Sequence, residues 1–229
     1  YHDERYSRGG AGLAGALPDP AQPDENYRVW LENWEVRALN DEHTQYAIIA
    51  ATDEAAVDLT LEQIKPPAFQ GDSGLSPKSG EIGNASYYYS LSRLVTEGTI
   101  SIGEETFTVS GLSWMDHEFS TSALGADAQG WDWFGLHFDD GRDLMVGRIR
   151  LTDGSKEPAF GGLLIDVDGS TTYLDSTAFT IVDSGETWTS PHTGATYPAG
   201  WTVTINAGTI DADADMVGFA AVLSLGELV

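Results

Sequence analysis

The 229-residue sequence contains no cysteine and little positive charge. The lack of cysteine excludes disulfide bonds, thiol catalysis and thiolate metal sites. Only 11 basic residues, among them the lysines Lys65, Lys78 and Lys156, stand against 36 acidic ones, and the formal net charge is −25. Such a surface repels the phosphate backbone of nucleic acids, so we expect no nucleic-acid partner.

Long apolar runs are missing as well. No segment approaches the ~20 apolar residues that a membrane-spanning helix needs, and we expect no membrane span. The histidines show no ligand spacing such as His-x-x-x-His, and we predict neither a metal nor another cofactor. Abundant acid with scarce lysine is typical of proteins from saline habitats, where counterions screen self-repulsion; an acidic secreted protein is the alternative.

Short alternating or β-branched runs dominate the chain, and no segment sustains helical periodicity. Turn residues such as Asp153-Gly154 and Asp168-Gly169 separate these runs. Many short strands with regular turns indicate an all-β sandwich or barrel. Strands are predicted at residues 27–39, 44–51, 55–61, 86–96, 106–110, 131–138, 144–151, 162–167, 171–174 and 201–205.

Asp140-Gly141, between two alternating runs, is the strongest hairpin signal. A tip at these two residues predicts three cross-strand pairs: Phe138 with Asp143, Leu136 with Met145, and Trp133 with Arg148. One face of this hairpin would carry a core of Phe134, Leu136, Phe138, Met145 and Ile149. The other would carry Trp131, Trp133, His137, Val146 and Arg148. That mixture suits the wall of a ligand cavity; ordinary packing with Arg148 stacked on Trp133 is the alternative.

The segment Trp114-Met115-Asp116-His117-Glu118-Phe119 puts an acid beside a histidine among aromatic rings. Apolar surroundings raise the pKa of a carboxyl group and lower that of an imidazole, which suits both for proton transfer. As neighbours on a strand, Asp116 and His117 should point to opposite faces, and a buried structural pair is the alternative to a catalytic one. The candidate catalytic residues are Asp116, His117 and Asp132. The candidate ligand contacts are Trp114, Phe119, Trp131, Trp133, His137, Arg148, Tyr87 and Tyr89.

This segment, with others at residues 5–15, 66–76, 84–90 and 188–198, resembles the AttH/CrtC-like family. That family joins carotenoid hydratases (hydroxyneurosporene synthases) to AttH-like secreted proteins and, more distantly, fungal Diels–Alderases. The resemblance implies two tandem lipocalin-like barrels and an extracytoplasmic location. Family members are usually longer, and the sequence lacks both their opening Glu-Trp-Trp-Tyr-type segment and their closing Gly-Tyr-rich strand. We therefore expect an internal fragment with both barrels incomplete.

The small, polar stretch 120–129 reads as a linker between a first domain at 1–119 and a second at 130–229. Near that junction we expect a cavity for a hydrophobic small molecule of isoprenoid, polyene or lipid type.

Whether the chain is an enzyme is left open. In a cofactor-free hydratase reaction, Asp116 or Asp132 would protonate an alkene. Trp114, Trp131 and Trp133 would stabilise the cation, and His117 would orient water. In the carotenoid hydratases, the residue equivalent to Phe119 is usually a tryptophan. A non-catalytic carrier is the alternative; a hydrolase lacks support because no nucleophile–base pair is evident.

Overall fold

The computed structural model describes residues 27–120, 124–191 and 194–206, together with the backbone of strands at 14–17 and 220–224. Every regular element in this part of the chain is a β-strand, which confirms the predicted all-β class. The same residues include no helix that is long and apolar enough to cross a membrane.

The strands follow one another as β1 (Ala14–Leu17), β2 (Arg28–Leu31), β3 (Trp34–Ala38), β4 (Gln45–Ala51), β5 (Ala55–Gln63), β6 (Ala68–Phe69), β7 (Leu75–Pro77), β8 (Ala85–Ile102), β9 (Glu105–Phe119), β10 (Ala128–His137), β11 (Asp143–Leu151), β12 (Gly162–Ile165), β13 (Thr171–Leu174), β14 (Phe179–Asp183), β15 (Thr187–Thr189), β16 (Thr196–Pro198), β17 (Gly200–Ile205) and β18 (Ala220–Ser224).

The chain divides into two compact units. Unit 1 comprises Tyr1–Pro66 and Leu91–Met115, and unit 2 comprises Pro67–Ser90 and Asp116–Val229. The long strands β8 and β9 therefore each contribute residues to both units. The predicted division into lipocalin-like domains on either side of residues 120–129 stays a prediction.

Unit 1 is an antiparallel meander of β1 to β5, continued by the second part of β8. The run predicted at 27–39 is a hairpin rather than one strand, because the chain turns at Glu32, whose φ is 54°. Gly98 of β8 lies against β5 so closely that a Cβ would stand 2.1 Å from the carbonyl oxygen of Asp58. Only glycine permits that approach.

Unit 2 contains a four-stranded antiparallel sheet, β10-β11-β12-β13, and a three-stranded sheet, β14-β17-β18. Their apolar residues form one core: Leu144, Val146, Leu164, Leu174, Ala178, Phe179, Ile181, Val203 and Ile205, with Phe134, Leu136, Phe138 and Trp201 packed against it. The other face of β11 is buried too, because Met145 and Ile149 are each only 2% exposed. β11 is thus covered on both faces.

The β10–β11 hairpin turns at the predicted place, but the predicted register is wrong by one residue. The loop has three residues, with Phe138 bonded to the carbonyl of Arg142 and Gly141 at a φ of 90°. A type I turn followed by a left-handed glycine explains this geometry. The observed pairs include His137 with Asp143, Leu136 with Leu144, Trp133 with Gly147, Asp132 with Arg148, and Trp131 with Ile149.

This one-residue shift moves side chains between the faces of β11, because strand residues alternate. Met145 and Ile149, predicted for the core face, lie instead beside the tryptophans of β10. Val146, predicted beside the tryptophans, belongs to the core. Arg148 pairs with Asp132 rather than with Trp133.

Candidate functional site

A pocket of about 310 Å³ opens in unit 2. We call it the aromatic pocket. Its lining is Phe119, Leu124, Trp131, Trp133, Ile149 and Phe160 on the apolar side and Lys78, Ser86, Tyr88, Glu118 and Ser120 on the polar side. Its volume falls at the lower end of the range typical of small-molecule sites, roughly 300–1,000 Å³.

Strand periodicity places the largest rings of this lining. Trp131 and Trp133 are two residues apart on β10, so they share a face, and Ile149 lies opposite Trp131 on β11. Trp131 is 63% exposed and Trp133 is 37% exposed. Large apolar rings with this much free surface are suited to contact a ligand.

A chain of hydrogen bonds runs behind the pocket wall. Trp133 Nε1 donates to the Tyr88 hydroxyl over 3.0 Å, and Tyr88 is hydrogen-bonded to the Asp116 carboxylate. Asp116 also accepts from Ser90 Oγ at 2.6 Å, and Ser90 Oγ in turn accepts from Gln70 Nε2 at 2.8 Å. We call these five residues the Asp116 network.

The electrostatics of this network keep Tyr88 protonated. Burial raises the pKa of the Tyr88 hydroxyl far above its ordinary value, and the nearby charge of Asp116 raises it further. The hydroxyl therefore keeps its proton to a higher pH than an ordinary tyrosine does, and it remains a hydrogen-bonding group. It accepts from Trp133 and links the pocket lining to Asp116.

A charged pair occupies the polar side of the pocket. The Lys78 ammonium forms an ion pair with Glu118 and donates to Ser76 Oγ at 3.2 Å. Ser86 Oγ also donates to Glu118. The ammonium lies 5.2 Å from the ring centre of Tyr88 and 4.7 Å from that of Phe160. These contacts stabilise the positive charge of Lys78 within an aromatic lining.

His117 contacts a different group of rings. Its Nδ1 lies 3.0 Å from the Tyr89 hydroxyl, and its ring is 5.3 Å from that of Phe119, which stacks on Tyr87 at 5.5 Å. Asp116 and His117 thus have separate partners, as the alternation of a strand predicts. Of these four rings, only that of Phe119 lines the aromatic pocket. The rings outside it are those of His117, Tyr87 and Tyr89.

Asp132 is held in an ion pair. Its Oδ2 accepts from Arg148 Nε at 2.6 Å and lies 3.8 Å from Arg150 Nε. Arg148 also donates to the carbonyl of Ile181 and to Asp183. Because Asp132 alternates with Trp131 and Trp133, its side chain lies on the opposite face of β10 from the two indole rings, where it pairs with Arg148.

Comparison with known proteins agrees with this fold. The sequence model of AttH-like proteins matches residues 1–219. The chain belongs to the AttH-like family. No curated protein matches the AttH-like chain.

Two solved structures are similar to the AttH-like chain. One is the crystal structure of an AttH protein from Nitrosomonas europaea, with 32% sequence identity and a TM-score of 0.70; the match covers 77% of this chain and 54% of that one. The other is kievitone hydratase from Nectria haematococca, with 16% identity and a TM-score of 0.61, covering 79% and 55% respectively. The second likeness shows the shared fold alone. The AttH-like chain spans about half the length of either protein.

The remaining predicted site residues of the AttH-like chain lie elsewhere. His137 stands opposite the buried Asp143 at the end of the hairpin ladder, and Trp114 belongs to unit 1. Neither lines the aromatic pocket. In the described part of the chain, no group of three or more His, Asp or Glu side chains is placed to hold a metal ion.

Sequence reasoning missed several residues of the site. Lys78, Ser86 and Phe160 line the pocket from segments distant in sequence, and Gln70 and Ser90 complete the Asp116 network. Glu118 and Tyr88 also line the pocket, and strand alternation could have indicated both. Glu118 shares the strand face of Asp116, and Tyr88 lies on the opposite strand face from Tyr87 and Tyr89.

Proposed function

We propose that this AttH-like chain binds a hydrophobic small molecule, of isoprenoid, polyene or lipid type, in the aromatic pocket. The exposed indole rings of Trp131 and Trp133 support this proposal. If a ligand covered about 100 Å² of each ring, burial would contribute roughly 2–3 kcal/mol per ring before the cost of association. Rings left open to water in an apolar lining gain that contribution only when a ligand fills the pocket.

A calorimetric titration with geraniol, an isoprenoid probe, tests the proposal. Wild-type protein should bind the probe, and Trp131→Ala should raise the dissociation constant about 30- to 150-fold because the lost contact is worth roughly 2–3 kcal/mol. Trp131 is 63% exposed, so its removal should leave the fold intact. The control is Trp188→Ala: Trp188 lies on β15 beside Tyr197, outside the pocket, and its loss should leave the affinity unchanged. No binding by wild-type protein, or equal binding by Trp131→Ala, would contradict the proposal.

Hydration of an alkene in the same pocket is the second candidate, and the Asp116 network favours it. A protonated Asp116 would pass a proton to Tyr88, whose own proton would move to an alkene carbon. The indole rings would stabilise the resulting carbocation, and water would add and return a proton to the network. The raised pKa of Tyr88 opposes its role as a proton donor, so binding is the better-supported function.

Mass analysis of geraniol recovered after incubation separates the enzyme from the carrier. A hydratase would yield a product heavier by one water molecule, and Asp116→Asn should stop its formation while leaving the dissociation constant unchanged. Asn keeps the shape of Asp and can still accept from Ser90. Geraniol that binds and is recovered unchanged would show a carrier.

A further inference from the structure

The Lys78–Glu118 pair is a feature of the aromatic pocket that the binding of a purely apolar molecule does not use. Lys78 is one of three lysines in a chain of net charge −25. Its side chain is only 13% exposed, against 40% for that of Glu118. Holding an ammonium in an aromatic lining costs desolvation energy, which its ion pair and the rings of Tyr88 and Phe160 offset. A charge kept there at such a cost points to a role in recognition.

The pair presents a donor and an acceptor side by side. The ammonium can donate three hydrogen bonds, and it contacts Glu118 and Ser76 Oγ. Glu118 Oε1 accepts from both Lys78 Nζ and Ser86 Oγ. The other oxygen of the carboxylate, Oε2, is a second acceptor. Both Lys78 and Glu118 belong to the pocket lining. A group that both accepts and donates would fit this end of the pocket.

Four ligand chemistries can be ranked against that arrangement. A hydrocarbon would cover the pair without replacing the hydrogen bonds that water gives it. A carboxylate would accept from Lys78 but would stand beside the negative charge of Glu118, and an amine would stand beside the positive charge of Lys78. A neutral hydroxyl accepts from the ammonium and donates to the carboxylate, so both charges gain a partner.

We infer that the aromatic pocket selects hydrophobic molecules that carry a neutral alcohol or phenol group, held between Lys78 Nζ and Glu118. This inference rests on the proposed binding function and specifies its ligand class. The hydroxyl lies at the polar end of the pocket, and the apolar body of the ligand covers Trp131 and Trp133.

Three probes with one isoprenoid skeleton test the inference: geraniol, geranic acid and the hydrocarbon myrcene. Calorimetric titration at neutral pH should show wild-type protein binding geraniol about tenfold more tightly than either of the others. Myrcene is the most hydrophobic of the three, so burial alone predicts the opposite order for geraniol and myrcene.

Two variants assign the preference to the pair. Lys78→Met keeps an unbranched side chain but removes the charge, and the preference for geraniol over myrcene should disappear. Glu118→Gln removes the negative charge beside Lys78, and geranic acid should gain about tenfold in affinity. Lys156→Met is the matched control: that lysine also lies over a ring, 5.5 Å from the centre of Phe179, but outside the pocket, and the order of the probes should not change. Each preference is a ratio within one protein, so it does not depend on the stability of the variant.

The affinities of the three probes distinguish a failure of the hydroxyl preference from a failure of the proposed binding function. Equal binding of all three probes, or tighter binding of myrcene, would overturn the hydroxyl preference and leave the proposed function standing. Binding of none would contradict the proposed function and the inference with it. A geraniol preference that survives in both Lys78→Met and Glu118→Gln would also overturn the inference.

Discussion

Tyr88 joins the pocket lining to the hydrogen bonds behind it. Its ring faces the Lys78 ammonium, and its hydroxyl stands between Trp133 and Asp116. The residue is only 4% exposed, so its hydroxyl depends on protein partners rather than on bulk water. A buried hydroxyl with two partners fixes their positions as well as its own.

Tyr88→Phe should therefore lower the free energy of unfolding by about 1–3 kcal/mol, because Trp133 and Asp116 each lose a partner. Chemical denaturation followed by circular dichroism would measure the change. Tyr87→Phe is the control, because Tyr87 is 61% exposed and the loss of its hydroxyl should change stability by less than about 0.5 kcal/mol. If both variants lost the same free energy of unfolding, the Tyr88 hydroxyl would contribute no more to stability than an exposed one.

The pH dependence of stability should report the same residue. The pKa of Tyr88 is raised in the folded protein above its ordinary value of 10.0. The contribution of Tyr88 to the free energy of unfolding is therefore complete below about pH 10. It decreases at higher pH, where the unfolded chain loses the hydroxyl proton while the folded protein keeps it.

Wild-type stability should thus fall with pH, relative to Tyr88→Phe, by up to about 1.4 kcal/mol per pH unit above pH 10. Denaturation curves of the two proteins at about pH 9 to about pH 11 would give this difference. Parallel curves across that range would exclude the raised pKa.

At the scale of elements, the β10–β11 hairpin decides which side chains reach the pocket. Its turn was predictable, because Asp140-Gly141 interrupts two alternating runs. Its register was not, because an Asp-Gly sequence fits a two-residue loop and also a three-residue loop that ends in a left-handed glycine. Only the packing of Leu144 and Val146 into the core selects the second.

The observed register predicts a structural role for Asp132. Asp132→Ala would leave Arg148, whose side chain is 20% exposed, without its closest carboxylate, and should cost about 2–4 kcal/mol. Asp140→Ala removes the partner of Arg142 at the exposed hairpin tip and should cost about 1 kcal/mol or less. Thermal or chemical denaturation measures both, and geraniol affinity should be unchanged in Asp132→Ala. If Asp132→Ala lost affinity for geraniol but kept its stability, Asp132 would have a role in binding rather than in structure.

The site itself was predictable only within single strands. Alternation correctly separates Asp116 from His117 and puts Trp131 beside Trp133. The pairing of Asp116 with Ser90, of Glu118 with Lys78, and of Tyr88 with Trp133 joins residues 26 or more positions apart, which periodicity does not reveal. The three-residue strands β15 and β16 were also missed, since three residues are too few to show a period.

At the scale of the whole molecule, the net charge of −25 is spread along the sequence rather than gathered in one tail. The basic residues are few, and several of them are committed to carboxylates, as Arg28 is to Glu35 and Arg148 is to Asp132. Most acidic side chains therefore repel one another across the folded protein, and that repulsion opposes folding.

Added salt should therefore stabilise the protein. Melting temperatures should rise from low ionic strength to about 1 M KCl, where the Debye length shrinks to about 3 Å and screens exposed charges. Sucrose at matched osmolality is the control for effects unrelated to charge. A midpoint that does not rise in KCl beyond its rise in sucrose would exclude self-repulsion as a significant term.

The three-residue loop at the β10–β11 tip has a consequence for how the hairpin can change. The indole rings and Ile149 share a face only while β10 and β11 keep this register, because a slip of one residue would turn one strand's side chains to the other face. A change of loop length at the tip should therefore preserve the pocket only where the loop absorbs it and the strands stay in register. The pairing of Trp131 with Ile149, both of which line the pocket, would then be a better marker of this pocket than the identity of any residue in the loop.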